Sequence, residues 1–266
     1  MSMILYRRVA QCLVVLAAAT LSGALALPAC AQTAPGRQIM IGAGAQLKPA
    51  YPGADQTKVS FLPDVTVWRT GEPIPVESPD EGKGFAIAKT RGGTAVGPAL
   101  TFAPRRAATA IPGLPAIGFG VELGMFAETY LAGPVRLRAE LRHGIGAHRA
   151  LTADLAADLV LRRGTEGLLA TIGPRVRWGS ARYNRTYFGV TAPALSPMLP
   201  TYQPGSGIYA VGAVAGIHLP VGPRLGLFSY AGYDRLSDAA PRSPIVKTGS
   251  ADQFSAGVAL TYRFSI

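Results

Sequence analysis

The chain has 266 residues, and Lys plus Arg exceed Asp plus Glu by 11. Its two cysteines, Cys12 and Cys30, lie close to the N-terminus, so the rest of the chain can form no disulfide, thiolate metal site or cysteine nucleophile. Beyond that stretch no apolar run reaches the ~18 residues of a spanning helix. The basic excess forms no aromatic-interleaved stripe of the kind that binds nucleic acid.

The N-terminal segment reads as a cleaved signal peptide over 1–31. Arg7 and Arg8 precede an uncharged run from Val9 to Leu27, and Ala29-Cys30-Ala31 places small residues where a signal peptidase reads, with the cut before Gln32. A membrane anchor is one rival, because the run is nearly long enough to span. A lipidated Cys30 is another, although Pro28 suits a lipobox poorly. Residues 32–266 then form one domain, with a net charge of +9 once Arg7 and Arg8 are removed.

The domain repeats a period of two. Val135, Leu137, Ala139 and Leu141 alternate with Arg136, Arg138, Glu140 and Arg142; Leu151, Leu155, Leu159 and Leu161 alternate with Asp154, Asp158 and Arg162. Such runs are strands with one apolar and one polar face. They are expected at 39–48, 58–68, 72–77, 84–89, 94–103, 116–131, 135–147, 150–162, 168–178, 207–219, 224–234 and 251–264. The third and fourth are weak, since Pro73, Pro75 and Pro79 interrupt them.

Strands of ~10 residues suit a tilted bilayer crossing better than a soluble sandwich. Short connections at 132–134 and 163–166 contrast with long ones at 179–207 and 235–250, the turn-and-loop asymmetry of outer-membrane barrels. The expected fold is therefore all-β: an antiparallel transmembrane β-barrel of about twelve strands, with ten as the alternative.

A turn at 132–134 sets Glu128 opposite Arg138 and Phe126 opposite Glu140, with Glu122, Arg136 and Arg142 on the same face. These six charged residues are expected to form an inward network. It either fills and braces the lumen or forms a selectivity constriction. Asp154 opposite Arg175 is a further expected pair, open to a register slip at the 163–166 turn. Of the histidines, His143, His148 and His218, none has a serine and an acid arranged beside it, and no metal-ligand spacing or phosphate loop is present. The expectation is no enzyme and no cofactor. Tyr183, Tyr187, Phe188 and Tyr202 cluster in the long loop, as packing against the barrel mouth or as a contact surface for a partner.

Several ordered stretches resemble the MipA/OmpV family of outer-membrane proteins. They are Gly42-Ala43-Gly44 through Tyr51-Pro52-Gly53-Ala54-Asp55, Leu123 to Glu128, Gly133 to Glu140, Thr186-Tyr187-Phe188-Gly189-Val190-Thr191, and Asp238 to Ala240 with Ser243 to Val246 and Gly249 to Phe254. Two departures stand out: proline-rich 72–84, and Ser265-Ile266 after the aromatic that usually ends the chain. The resemblance implies a Gram-negative outer-membrane scaffold in peptidoglycan turnover. Its partners would be the membrane lipid, a lytic transglycosylase and a peptidoglycan synthase. A porin-like channel favouring anions is the alternative that the charge excess supports.

Overall fold

A computed structural model describes residues 36–131, 133–191 and 199–266; the expected signal peptide at 1–31 lies outside the described residues. The strands are β1 (Arg37–Pro49), β2 (Thr57–Arg69), β3 (Lys83–Gly84), β4 (Ala88–Lys89), β5 (Ala95–Phe102), β6 (Val121–Tyr130), β7 (Val135–Ile145), β8 (Leu151–Arg162), β9 (Leu169–Gly179), β10 (Gly207–Pro220), β11 (Leu225–Leu236) and β12 (Asp252–Ser265). They form one antiparallel sheet in the order β2-β1-β12-β11-β10-β9-β8-β7-β6-β5-β3, with β4 also on β5. The alternation read from the sequence decides which side chain faces which way. In β7, Arg136, Arg138, Glu140 and Arg142 are buried, while Leu141 is 54% exposed on the outer face.

That outer face is apolar around the sheet: Ile41, Phe61, Val65, Leu123, Met125, Leu155, Ile172 and Leu260 all lie more than two-fifths exposed. In water such a surface would be unfavourable at about 25 cal/mol per Å²; in a bilayer it is the lipid-facing belt of a β-barrel. No helix among the described residues is long and apolar enough to cross a membrane.

The first and last strands are neighbours inside the sheet. β1 and β12 pair from Gln38↔Ser265 to Leu47↔Ala256, and Arg37 and Ile266 exchange both backbone hydrogen bonds at 2.8 and 2.9 Å. Among the described residues no ladder joins β2 to β3 or β4, so the seam of the sheet lies there. Lys83 spans it, donating to Asp64 of β2 at 3.0 Å and pairing with Glu77.

The expected strand at 72–77 does not form. Instead the chain leaves β2 at the short-turn end and passes back up through the lumen. Pro73, Pro75 and Pro79 lack the N–H groups that a ladder requires, and Asp80 and Glu81 find arginine partners on the inner wall. The expected strand at 84–89 becomes the two short pieces β3 and β4, with Phe85, Ala86 and Ile87 opposite Gly97 and Pro98, a β-bulge beside a proline. The inward segment makes the up-going pass that a strand would otherwise make, so both ends of the sheet still emerge on one side. The expected strand at 116–131 starts later, at Val121; Ile117 instead forms a bridge with Arg106 and is buried under the loops.

Helix α1 (Ala181–Phe188), a 3-10 turn (Ala240–Arg242) and the single-turn helix α2 (Pro244–Lys247) lie in the long connections at the opposite end. There Ile117, Tyr183, Tyr187, Phe188, Leu236 and Val246 pack into one apolar cluster over the barrel mouth. At the turn end, Ile74 of the inward segment packs among Met40, Trp68, Val160 and Leu169.

Candidate functional site

The lumen is built from alternate residues of β6 to β9 and from the inward segment. The register places Glu128 opposite Arg138 and Phe126 opposite Glu140, because the 131–134 turn is tight. Arg136 is fully buried. It donates to Glu128 at 2.8 Å, to Asp158 at 3.2 Å, and through both terminal nitrogens to the two carboxylate oxygens of Glu81 at 2.8 and 2.9 Å. Such a fork fixes orientation as well as distance.

Arg138 bonds Glu140 at 2.8 Å and Glu128 at 3.1 Å, and its guanidinium carbon sits 3.9 Å from the centre of the Phe126 ring. Arg142 bonds Glu122 at 3.0 Å and also pairs with Glu140 and Asp154. The six charged residues singled out in the sequence therefore share one inner surface. Thr152 and His148 complete it, each meeting Glu122 at 3.0–3.1 Å.

The inward segment docks onto this surface. Gly82 N–H donates to Glu140 at 3.1 Å and Gly82 C=O accepts from Arg138 at 3.3 Å. Asp80 accepts from Arg175 at 2.8 Å and from Arg177 at 3.0 Å, and Ser78 accepts from Arg175 at 2.9 Å. Sequence reasoning missed Ser78, Asp80 and Glu81. The only signal for them was an acidic pair inside a proline-rich stretch, which does not name its partners. Beside the segment remains a cavity of ≈30 Å³, lined by Asp64, Thr66, Glu77 and His218 among others, about the room one water needs.

The expected pair Asp154–Arg175 is corrected. Asp154 stands opposite Arg177, and Arg175 opposite Ala156, so the register has moved by two residues. The turn centres between Thr165 and Glu166, with Gly164 in the left-handed region at φ 72°, one residue further along than the sequence suggested. A two-residue slip keeps every side chain on its own face. Arg175 instead reaches Asp158 at 2.8 Å.

The aromatic loop is placed inward. Tyr183, Tyr187 and Phe188 are 3%, 1% and 0% exposed, and only Tyr202 is half-buried. Of the two alternatives read from the sequence, the burial of the first three fits packing against the barrel mouth rather than an outward contact surface. The Tyr183 and Tyr187 rings lie 4.7 Å apart and tilted, His148 meets Tyr183 edge-on at 5.1 Å, and Tyr187 O–H donates to Pro104 C=O at 2.9 Å. A β-bulge at Tyr209 in β10 turns that ring toward Tyr183, 5.0 Å away. Ser243, fully buried, donates to Phe188 C=O at 2.6 Å and caps α2 through Ile245 N–H. Burial pushes the Tyr183 and Tyr187 hydroxyls above the ordinary tyrosine value.

The histidines are dispersed: His143 points outward, while His148 and His218 are buried on Glu122 and Thr261. Among the described residues no group of three His, Cys, Asp or Glu is placed to hold a metal.

The family model described as "MltA-interacting protein MipA" matches residues 41–264, nearly all of the described chain. The chain belongs to the MipA family. As a member, it is a β-barrel of the Gram-negative outer membrane. No curated protein matches it.

Among solved structures it is similar to a bacterial polysaccharide outer membrane secretin, with 9% identity over 86% of this chain and 99% of that one, at a TM-score of 0.44. OprG from Pseudomonas aeruginosa shares 10% identity over 86% of this chain and 96% of its own, at 0.25. The attachment invasion locus protein Ail of Yersinia pestis shares 11% over 87% of this chain and all of its own, also at 0.25. None of these likenesses is close enough in shape to carry an argument about activity.

Proposed function

We propose that this MipA-family barrel is a non-conducting, non-enzymatic interaction protein. In this reading the filled lumen stiffens a platform, and the short periplasmic turns offer a docking face to cell-wall enzymes. The observation that carries the reading is the inward segment, whose Asp80 and Glu81 are tied to Arg175, Arg177 and Arg136 on the wall. A selectivity constriction needs charges left free to meet a passing ion. Here arginines and carboxylates satisfy one another, which suits bracing.

The family's description supplies the first partner to try, a lytic transglycosylase. The peptidoglycan synthase rests on the sequence resemblance alone. The turns at 90–94, 163–168 and 221–224 are among the surfaces on the periplasmic side, by the rule that short turns face that compartment.

The test has two parts. Refolded protein in a planar bilayer is expected to give no steady current, for the wild type and for Arg138→Ala. Purified lytic transglycosylase is expected to be retained by immobilised wild type, and released when the 163–168 and 221–224 turns are replaced by Gly-Ser. Steady, salt-dependent current from the wild type would instead favour an anion-preferring channel. Failure to retain the transglycosylase would remove the scaffold reading.

A further inference from the structure

We propose that the loop end carries a binding site for the phosphate group of an outer-leaflet lipid, formed by Lys58, Arg105 and Arg106. This inference is independent of the scaffold reading.

The three cations line a cavity of ≈370 Å³ together with Tyr51 and the 107–118 stretch, within the usual range of about 300–1,000 Å³ for ligand sites. Among the described residues none of the three makes an ion pair. Lys58 donates only to Ala50 C=O, at 3.0 Å.

Arg106 is the telling member. It is 4% exposed, yet its guanidinium meets only two neutral carbonyls, those of Tyr187 and Pro115, both at the long distance of 3.4 Å. Its Nε has no partner. Every buried arginine of the lumen network meets at least one carboxylate, so this one is an exception within its own molecule. A buried charge without a counter-charge is costly, and burial draws the Arg106 pKa below the ordinary arginine value. Its backbone is tied to Ile117 by both hydrogen bonds of a β-bridge, at 3.1 and 2.8 Å.

Two further groups bear on the charge. Lys48 is the cross-strand partner of Lys58 but does not line the cavity, and it also feels Asp80 and Arg177 of the lumen. Asp55 is the acid felt at Tyr51, and it is exposed rather than bonded to the three. The site thus holds a surplus of positive charge over any single carboxylate. A phosphate monoester carries about −1.5 to −2 and offers three acceptor oxygens, which fits two guanidinium groups and an ammonium.

The position selects a lipid source. Lys58 lies on the inner face, back to back with the outward Val59, while Phe102 and Phe119, 64% and 62% exposed with rings 5.8 Å apart, flank the 103–118 loop that carries the two arginines. The cavity therefore sits at the rim of the apolar belt, where the headgroup of a lipid whose chains lie on that belt would reach it.

The full-length protein in detergent would be titrated with a diphosphorylated glycolipid of the lipid A type, with its dephosphorylated counterpart, and with inorganic phosphate. Binding would be read by calorimetry and by phosphorus NMR line broadening. The diphosphorylated lipid is expected to bind at least about tenfold more tightly than the dephosphorylated one, as loss of charge-assisted bonds predicts. The double variant Lys58→Gln/Arg105→Gln, which changes only exposed side chains, is expected to abolish that preference; Arg106→Gln should do the same if it folds. Equal binding of both lipids, or an unchanged preference in the double variant, would overturn the site. Binding of inorganic phosphate as tight as that of the lipid, and lost in the same variant, would overturn the lipid source and assign a free phosphate.

Discussion

Arg136 and Glu81 face each other as a two-bond fork, at 2.8 and 2.9 Å, between the barrel wall and a segment 55 residues earlier in the chain. Arg136 is fully buried and also holds Glu128 and Asp158, so removing it leaves three carboxylates each short of a cationic partner. Arg136→Ala is expected to cost about 3–5 kcal/mol, as for other buried pairs broken on one side. Replacing both, as Arg136→Met with Glu81→Leu, is expected to cost much less. Urea unfolding of the refolded barrel in detergent would measure both; additive losses from the two single changes would show that the fork is not a coupled unit.

Freeing the inward segment is a separate matter from destabilising the barrel. Asp80→Ala with Glu81→Ala removes its carboxylate ties to Arg175, Arg177 and Arg136 but leaves Ser78 on Arg175 and the wall ladders intact. Intermittent bilayer current is expected in this variant, with anion preference, because the three arginines are then partly uncompensated. A silent trace with a folded barrel would mean that the remaining bonds of Ser78 and Gly82, with the packing of Ile74, are sufficient to hold the segment.

Strand β8 approaches β9 closely at Gly173. A Cβ there would lie 1.7 Å from Ala157 C=O and 2.8 Å from the Asp158 backbone. Gly173→Ala must push the strands apart beside Asp158, the acid shared by Arg136 and Arg175. A loss of about 1–3 kcal/mol is expected for such overpacking. It would be read as a lower temperature for loss of the compact, fast-migrating form on a gel.

Alkali should open the loop end first. Burial, then the neighbouring tyrosines and Glu122, raise the Tyr183 pKa well above 10.0. In the unfolded chain the hydroxyl would ionise near 10.0, so above that pH the unfolded state binds fewer protons than the folded one. Stability therefore falls as pH rises past about 10, and is unaffected below it. Absorbance at about 295 nm should rise together with protease cleavage in 180–206, and Tyr183→Phe should weaken the coupling. Smooth ionisation with no gain in cleavage would contradict the burial.

Most of the barrel was legible because each strand carries its own evidence. In β7 the alternation of Arg136, Arg138, Glu140 and Arg142 with leucines and alanine states both the element and its inner face. The tight 131–134 turn likewise fixed the Glu128–Arg138 register from local information. What failed was non-local. Nothing in residues 72–82 says that their partners are Arg136, Arg138, Arg175 and Arg177; prolines exclude a strand without naming a destination. The 163–168 turn allowed two registers of the same facing, and the choice depended on the whole β8–β9 contact. The loop aromatics gave composition but no direction, since an exposed patch and a buried cluster use the same residues.

The seam between β2 and β3 has a consequence for how the chain is wired. β1 and β12, the strands farthest apart in sequence, are joined by a continuous ladder, whereas the break falls between elements separated only by residues 70–82. Forming that ladder closes a loop of nearly the whole domain, the most entropically demanding contact in the sheet. A rewired chain with residue 266 linked to residue 37, and new ends opened at the inward segment, would turn this distant pairing into an ordinary hairpin. The barrel would become a plain meander from β3 to β2, with the lumen filler as a loose tail.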